Sequence, residues 1–128
     1  MASIGDLRDA SADMLLAWAR QAVPHYGASG SMDLDLPGFP DAEGPTYYNQ
    51  FAHYALLLLS EGVVPGAGDD ERTQFREAAL GNIRYILSMT DTEFHTPHFS
   101  RGRDWGRHVG EWLNIYLLRS LHVMEAHD

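Results

Sequence analysis

Apolar residues recur every three or four positions in four segments of the chain, which is the period of an amphipathic α-helix. The first segment runs from about Asp6 to Val23, and Pro24 and Gly27 end it. Its spacing predicts one buried stripe, formed by Leu7, Met14, Leu15, Trp18 and Ala22.

The second segment begins at Thr46, an N-cap candidate directly after Pro45, and runs to about Glu61, before Gly62. Its sequence ALLLL makes it apolar nearly all round, which is typical of a helix that is buried on more than one face. The residues expected along one side are Tyr47, Phe51, Tyr54 and Leu58.

The third helix starts near Asp69 or Asp70, where carboxylates suit the positive end of the helix dipole. Asn82 falls on its apolar side, so it is either a buried polar group satisfied by a neighbour or part of a site. The predicted stripe consists of Phe75, Ala79, Ile83 and Ile86.

The fourth helix runs from about Asp104 to near the last residue and has two faces. The expected packing face consists of Val109, Trp112, Leu113, Tyr116, Ser120 and Met124. The opposite face consists of Asp104, His108, Glu111, Ile115, Arg119 and His122.

The order of helix, short link and helix predicts an all-α protein, one helical domain over residues 1–128 built as stacked αα-hairpins. It is either a four-helix array or part of a larger (α/α) toroid. Residues 25–45 are rich in Gly, Pro and Asp, and a loop of that length is usually functional or mobile. The apolar second helix suggests further neighbours, from a homo-oligomer or from the remainder of a larger chain.

Composition excludes several classes of protein. All nine basic residues are arginine and there is no cysteine, so lysine Schiff bases, P-loops, thiolate catalysis and cysteine-zinc sites are excluded. The net charge of -9 disfavours nucleic acid and anionic membranes as partners. The first residues do not form a signal-peptide pattern, and no apolar run is long enough to span a bilayer, so we expect a cytoplasmic protein.

The stretch HTPHFSRGRDWGRHVGEW, residues 95–112, concentrates the nitrogen-bearing side chains. Asp104 is the expected N-cap of the fourth helix, whose free amides and dipole attract anions. Arginine holds a carboxylate or phosphate through two parallel hydrogen bonds, so the stretch predicts an anion-binding site. The alternative is that its arginines pair with the protein's own acids. The basic and aromatic candidates are His95, His98, Arg101, Arg103, Trp105 and Arg107.

His108 and Glu111 lie three residues apart, hence on one surface of the helix. A carboxylate beside imidazole suits a general base or a metal ligand, but also an ordinary surface pair. A three-histidine metal site from His53, His95 or His98, and His108 has no diagnostic spacing. We therefore expect no metal and no cofactor.

The segments TYYNQFAHYALLLL, FREAALGNIRYIL and HTPHFSRGRDWGRHVGEWLNIYLL together resemble the helical hairpins of (α/α) toroids, and more narrowly the N-terminal helical region of heparinase II/III-like polysaccharide lyases. The resemblance covers roughly residues 46–124. It implies a groove that binds an acidic polysaccharide, in which a base abstracts the C5 proton of a uronate whose carboxylate is neutralised. Such a toroid has about a dozen helices and a C-terminal β-domain, so the four helices predicted here would form an incomplete groove without full lyase activity.

Residue by residue, the resemblance implies His108 and Tyr48 as catalytic candidates and Arg103 or Arg107 as the carboxylate clamp. It implies that Tyr48 and Trp105 stack on sugar rings and that the groove is lined by Asn49, His53 and Asn82. The expected partner is thus an acidic oligosaccharide or another small anion.

Two other functions fit the same sequence. One is a noncatalytic helical module that associates through the apolar faces of the second and fourth helices. The other is a metal-dependent four-helix bundle enzyme, for which the sequence offers histidine, aspartate and glutamate but no paired metal motif.

Overall fold

The computed structural model of the protein describes residues 1–31, 52–88 and 103–127, with the side chains of the last helix described from residue 114 onwards. The described residues form four α-helices and one 3-10 turn, with no β-strand among them, which confirms the all-α prediction. The toroidal continuation stays a prediction. The elements are α1 (Ile4–Ala22), the 3-10 turn (Val23–His25), α2 (His53–Ser60), α3 (Asp69–Ser88) and α4 (Arg103–His127).

A capping box fixes the start of α1. The Ser3 hydroxyl accepts a hydrogen bond from the Asp6 N–H at 3.1 Å, and the Asp6 carboxylate accepts one from the Ser3 N–H at 2.9 Å. This reciprocal pair satisfies two amides at the helix end, so α1 begins at Ile4, two residues before the predicted start. Pro24 lies in the 3-10 turn that follows α1.

The buried side of α1 differs from the predicted stripe. Leu16 and Ala19 are buried, whereas Leu7, Met14 and Leu15 are 58%, 66% and 39% exposed, so the prediction was wrong for these three residues. Of the other two predicted residues, Ala22 is buried and Trp18 is partly buried. The apolar arc of α1 is wider than one stripe: Leu16 and Ala19 belong to the core and Trp18 packs against it, whereas the side that carries Leu7 and Met14 is exposed. Periodicity alone does not tell which edge of a wide arc is covered.

Helix α2 begins at His53, and the predicted start, Thr46, lies outside the described residues. Its nearly continuous burial confirms the prediction that more than one face is covered: Leu56 and Leu57 are both 0% exposed. The helix ends at Ser60, and Gly62, two residues later, has a φ of 78°, the left-handed conformation common after a helix C-terminus. Arg72 donates to the Ser60 carbonyl at 2.8 Å and so binds a carbonyl near that end.

The predicted face of α3 is confirmed. Acids occupy its first turn, and the buried residues of the helix are Phe75, Ala79, Asn82, Ile83 and Ile86. The regular spacing of these residues forms a single apolar stripe, so the sequence offers only one candidate for the buried face of α3.

The two faces of α4 are also confirmed from residue 114 onwards. Ser120 is buried and Tyr116 and Met124 are partly buried, whereas Ile115, Arg119 and His122 are exposed. The side chains of Val109, Trp112 and Leu113 lie outside the described part. The helix begins at Arg103, so Asp104 lies in its first turn and is not the predicted N-cap.

Helix α2 packs against both α3 and α4, and α1 adds one edge to the same core. None of the helices in the described ranges combines the length and apolarity needed to cross a membrane. The core consists of Leu16, Ala19, Leu56, Leu57, Leu59, Phe75, Ala79, Ile83 and Val123.

Candidate functional site

The backbone of α4 arranges the predicted anion-binding residues along the first three turns of one helix. Arg103, Arg107 and Glu111 follow one another at four-residue intervals, so their positions form one row on the helix, about 6 Å apart. His108 lies three residues before Glu111, and Trp105 lies in the first turn. Helix formation from Arg103 therefore brings these five positions within a segment about 12 Å long.

The start of α4 is the positive end of a 25-residue helix. The first N–H groups of an α-helix have no partner inside the helix, and the dipole adds about half a positive charge there. Two arginine positions, Arg103 and Arg107, lie within the first two turns. An anion bound at this end would be favoured by the backbone and by both arginines.

Five of the candidate residues lie outside the described residues. They are Tyr48, Asn49, His95, His98 and Arg101. Their roles as catalytic residue (Tyr48) and as substrate-binding residues stay predictions.

The structure places His53 inside the core. Its side chain is 0% exposed, and Nδ1 lies 2.7 Å from the hydroxyl oxygen of Ser120, which is also fully buried. Burial lowers the pKa of His53 to about 4, so the ring is neutral at pH 7. Its Nε2 atom is buried and has no hydrogen-bond partner among the described residues.

His53 and His108 do not meet at one site. Ser120, the partner of His53, lies twelve residues after His108 on α4, a distance of about 18 Å along the helix axis. A ligand at the start of α4 would not reach His53, and a direct substrate contact with this ring would need the α2–α4 interface to open.

Asn82 is buried, and its side-chain nitrogen has a hydrogen-bond partner. It is 0% exposed, and its side-chain amide donates to the Gly30 carbonyl at 3.0 Å. Gly30 has a φ of 88°, and a Cβ atom there would lie 2.1 Å from the Gly81 carbonyl oxygen. The bond therefore fixes a close approach of two backbone segments, which supports the first of the two alternatives for Asn82.

Ion pairs within the chain are common where arginine side chains are described. Arg20 makes a bidentate contact with Glu71, at 2.6 Å and 2.9 Å, and holds the pKa of that carboxyl below its usual range. Arg76 contacts Glu61 at 3.2 Å, and Arg8 contacts Asp9 at 3.1 Å. Self-pairing thus occurs elsewhere in the molecule, and for Arg101, Arg103 and Arg107 the alternative stays open.

Arg119 is engaged in a different contact. Its guanidinium carbon lies 5.8 Å from the centroid of the Tyr54 ring and 5.6 Å from that of Tyr116, within the range of cation–π interaction. These side chains lie beside the His53–Ser120 pair at the α2–α4 interface. The sequence placed Ser120 on the packing face but did not identify it as the partner of His53, because periodicity assigns a face and not a contact.

Among the described residues, no three His, Asp or Glu side chains lie close enough together to hold a metal ion. The three-histidine hypothesis also requires His95 or His98, which lie outside these residues, and the side chain of His108, which is not described.

Comparison with known protein families, with characterised proteins and with solved structures finds no match to this chain.

Proposed function

We propose that the N-terminal half of α4 binds a carboxylate group of an acidic oligosaccharide. One observation carries the proposal: α4 begins at Arg103, which puts Arg103 and Arg107 one turn apart at the positive end of a 25-residue helix. Guanidinium groups bind carboxylates through paired hydrogen bonds, and the helix end adds amide donors of the same polarity. In a protein of net charge -9, such a local concentration of arginine favours an anion that the rest of the surface repels.

The same turns carry groups suited to proton transfer from a uronate. In the proposed reaction His108, paired with Glu111, takes the C5 proton while an arginine offsets the carboxylate charge. The C5–H electron pair then forms the C4–C5 double bond as the bond from C4 to the glycosidic oxygen breaks. Tyr48 is the proposed donor of a proton to that oxygen. The resemblance to polysaccharide lyases supports this chemistry, for which the groove must be completed by further helices.

The binding proposal is tested by calorimetric titration of an oligogalacturonide into the wild type, Arg107→Ala and Arg8→Ala. We expect Arg107→Ala to weaken binding by about tenfold or more, the usual effect of losing a charge-assisted contact. Arg8→Ala is the control, because Arg8 is 78% exposed at the start of α1 and the charge change is the same. Its affinity should stay within about twofold of the wild type.

Equal affinities for the wild type and Arg107→Ala, or no binding by the wild type, would contradict the proposal. A neutral oligosaccharide of the same length should bind neither the wild type nor Arg107→Ala. His108→Gln separates binding from chemistry. This variant should still bind the oligogalacturonide but should no longer form the unsaturated product.

A second function, a helical association module, is favoured by the exposed apolar side chains of α1. Ile4, Leu7 and Met14 are 87%, 58% and 66% exposed and lie on one side of the helix. The sequence placed the association surface on the second and fourth helices, but α2 is largely buried in the chain's own core. Of that pair only α4 exposes an apolar row, Ile115, Leu118 and Leu121. Sedimentation velocity over a range of concentrations distinguishes this function from simple ligand binding.

A further inference from the structure

The contact between α2 and α4 includes a buried polar pair. His53 and Ser120 are each 0% exposed, and the 2.7 Å contact between Nδ1 and the hydroxyl oxygen is the hydrogen bond that joins the two helices in the core. The other ring nitrogen, Nε2, has no hydrogen-bond partner within the described ranges. The imidazole is therefore accommodated in its neutral form, with one nitrogen hydrogen-bonded and the other buried without a partner among the described residues.

Among the described residues, no carboxylate that would stabilise a charged imidazole belongs to the buried core around His53. The buried faces of α1 and α3 contribute no titratable side chain to the described core, since their buried residues are Leu16, Ala19, Ala22, Phe75, Ala79, Asn82, Ile83 and Ile86. Elsewhere on the described α2–α4 interface, the titratable or charged side chains that contact one another include Tyr54 on α2 and Tyr116 and Arg119 on α4. His122 and Glu125 are exposed and line a groove of about 310 Å³ beside Tyr54.

We propose that His53 makes the α2–α4 interface acid-sensitive. Protonation of the buried imidazole releases the C-terminal half of α4 from α2. A protonated ring has two N–H donors. Ser120 can accept from one of them, but Nε2–H finds no acceptor in the described core. A buried charge without a partner is strongly unfavourable, so the proton is taken up only as the interface opens to water.

The direction of the pH dependence follows from the same burial. Because burial lowers the pKa of His53 from its ordinary 6.5 to about 4, the closed form binds fewer protons than the open form between these values. The contribution to stability is complete above pH 6.5 and is lost progressively as the pH falls to about 4. The other histidine contact between α4 and the end of α2 is that of His127, whose Nδ1 atom lies 3.4 Å from a carboxylate oxygen of Glu61.

Hydrogen exchange of the full chain measures the proposed opening of the α2–α4 interface directly. After correction for intrinsic rates, opening of residues 114–127 in the wild type should rise up to about a hundredfold between about pH 7.5 and about pH 4.5, since each unit of pKa mismatch corresponds to tenfold. The double variant His53→Phe/Ser120→Ala removes the titrating ring and its partner together. Its rise should be at least about tenfold smaller than that of the wild type. The matched control is His122→Gln, which replaces an exposed histidine on α4, the helix that carries Ser120. This variant should behave like the wild type.

A second measurement does not depend on the double variant folding. The ring signal of His53, followed by NMR through the same pH range, should change only together with the loss of protection in residues 114–127. Titration of this ring near pH 6.5 with α4 still protected would overturn the proposal. So would an unchanged pH profile in the double variant.

Discussion

Gly30 is the position at which the backbone is most constrained. Its φ of 88° is disfavoured for a side chain, and an added Cβ would lie 2.1 Å from the Gly81 carbonyl oxygen. We expect Gly30→Ala to lower the free energy of unfolding in urea by about 2 kcal/mol or more, from backbone strain and overlap together. Gly68→Ala is the control, because no atom lies within 4 Å of a Cβ there, and its effect should stay below about 1 kcal/mol. Equal losses in the two variants would contradict the close contact.

At the scale of single residues, the sequence predicted which polar side chains are buried better than it predicted their hydrogen-bond partners. Asn82 was expected on the apolar side of the third helix, and it is buried there. Its partner, the Gly30 carbonyl, lies 52 residues away in a turn with no periodic signal, so the contact could not be inferred. The resemblance implied that His53 lines a groove, whereas the structure pairs it with Ser120, 67 residues later. A side-chain pattern gives the face of a helix but not the identity of the opposing atom.

At the scale of elements, the start of α1 depends on Ser3. Its hydroxyl accepts from the Asp6 amide at 3.1 Å, which satisfies an N–H that the helix cannot pair internally. We expect Ser3→Ala to lower the free energy of unfolding by about 1 kcal/mol and to increase exchange in the first turn. Ser11→Ala, at an exposed position inside the same helix, should be neutral or slightly stabilising because alanine is the better helix former. If both variants behaved alike, the cap would not determine where α1 begins.

The four helices differ in how far their faces could be predicted. The face of α3 was predicted fully, because a single narrow stripe of apolar residues separates its buried and exposed sides. In α4 the described half agrees with the prediction for the same reason. The stripe in α1 was assigned to the wrong edge, because the apolar arc extends from Leu7 round to Leu16 and only tertiary packing decides which part is covered. The predicted cap at Asp104 was wrong by two positions because the helix already includes Arg103, and such a difference is common at helix ends.

For the whole molecule, the architecture and the candidate site were predictable to different extents. The helix order and most of the core follow from periodicity. The gathering of Arg107, His108 and Glu111 on one helix likewise follows from sequence spacing, and the structure confirms that these positions are helical. Arg103 was expected just before the helix, whereas it is the first helical residue. Whether those arginines take an external anion or a carboxylate of the same chain depends on three-dimensional contacts, as the pairing of Arg20 with Glu71 across 51 residues illustrates. Spacing along one helix cannot decide between the two.

The exposed apolar side of α1 makes self-association the property of the whole molecule that can be tested most directly. Leu7 and Met14, 58% and 66% exposed, lie two turns apart on the same side of the helix. Burying each of them in a contact between chains would contribute about 1.5–3 kcal/mol, so their replacement by a charge should weaken association by more than about tenfold. We therefore expect the wild type to gain mass with concentration in sedimentation velocity and Leu7→Glu/Met14→Glu to remain monomeric.

The matched control for self-association is Ala17→Glu, because Ala17 is exposed one turn after Asp13 on the polar side of α1. This variant tests whether added negative charge alone disperses a protein whose net charge is already -9. It should associate nearly as the wild type does, apart from the small repulsion of one further charge at moderate salt. A wild type that stays monomeric throughout, or equal weakening by Ala17→Glu, would exclude α1 as the contact surface. In that case the wide apolar arc of α1 would contribute only the Leu16 and Ala19 edge that already joins the core.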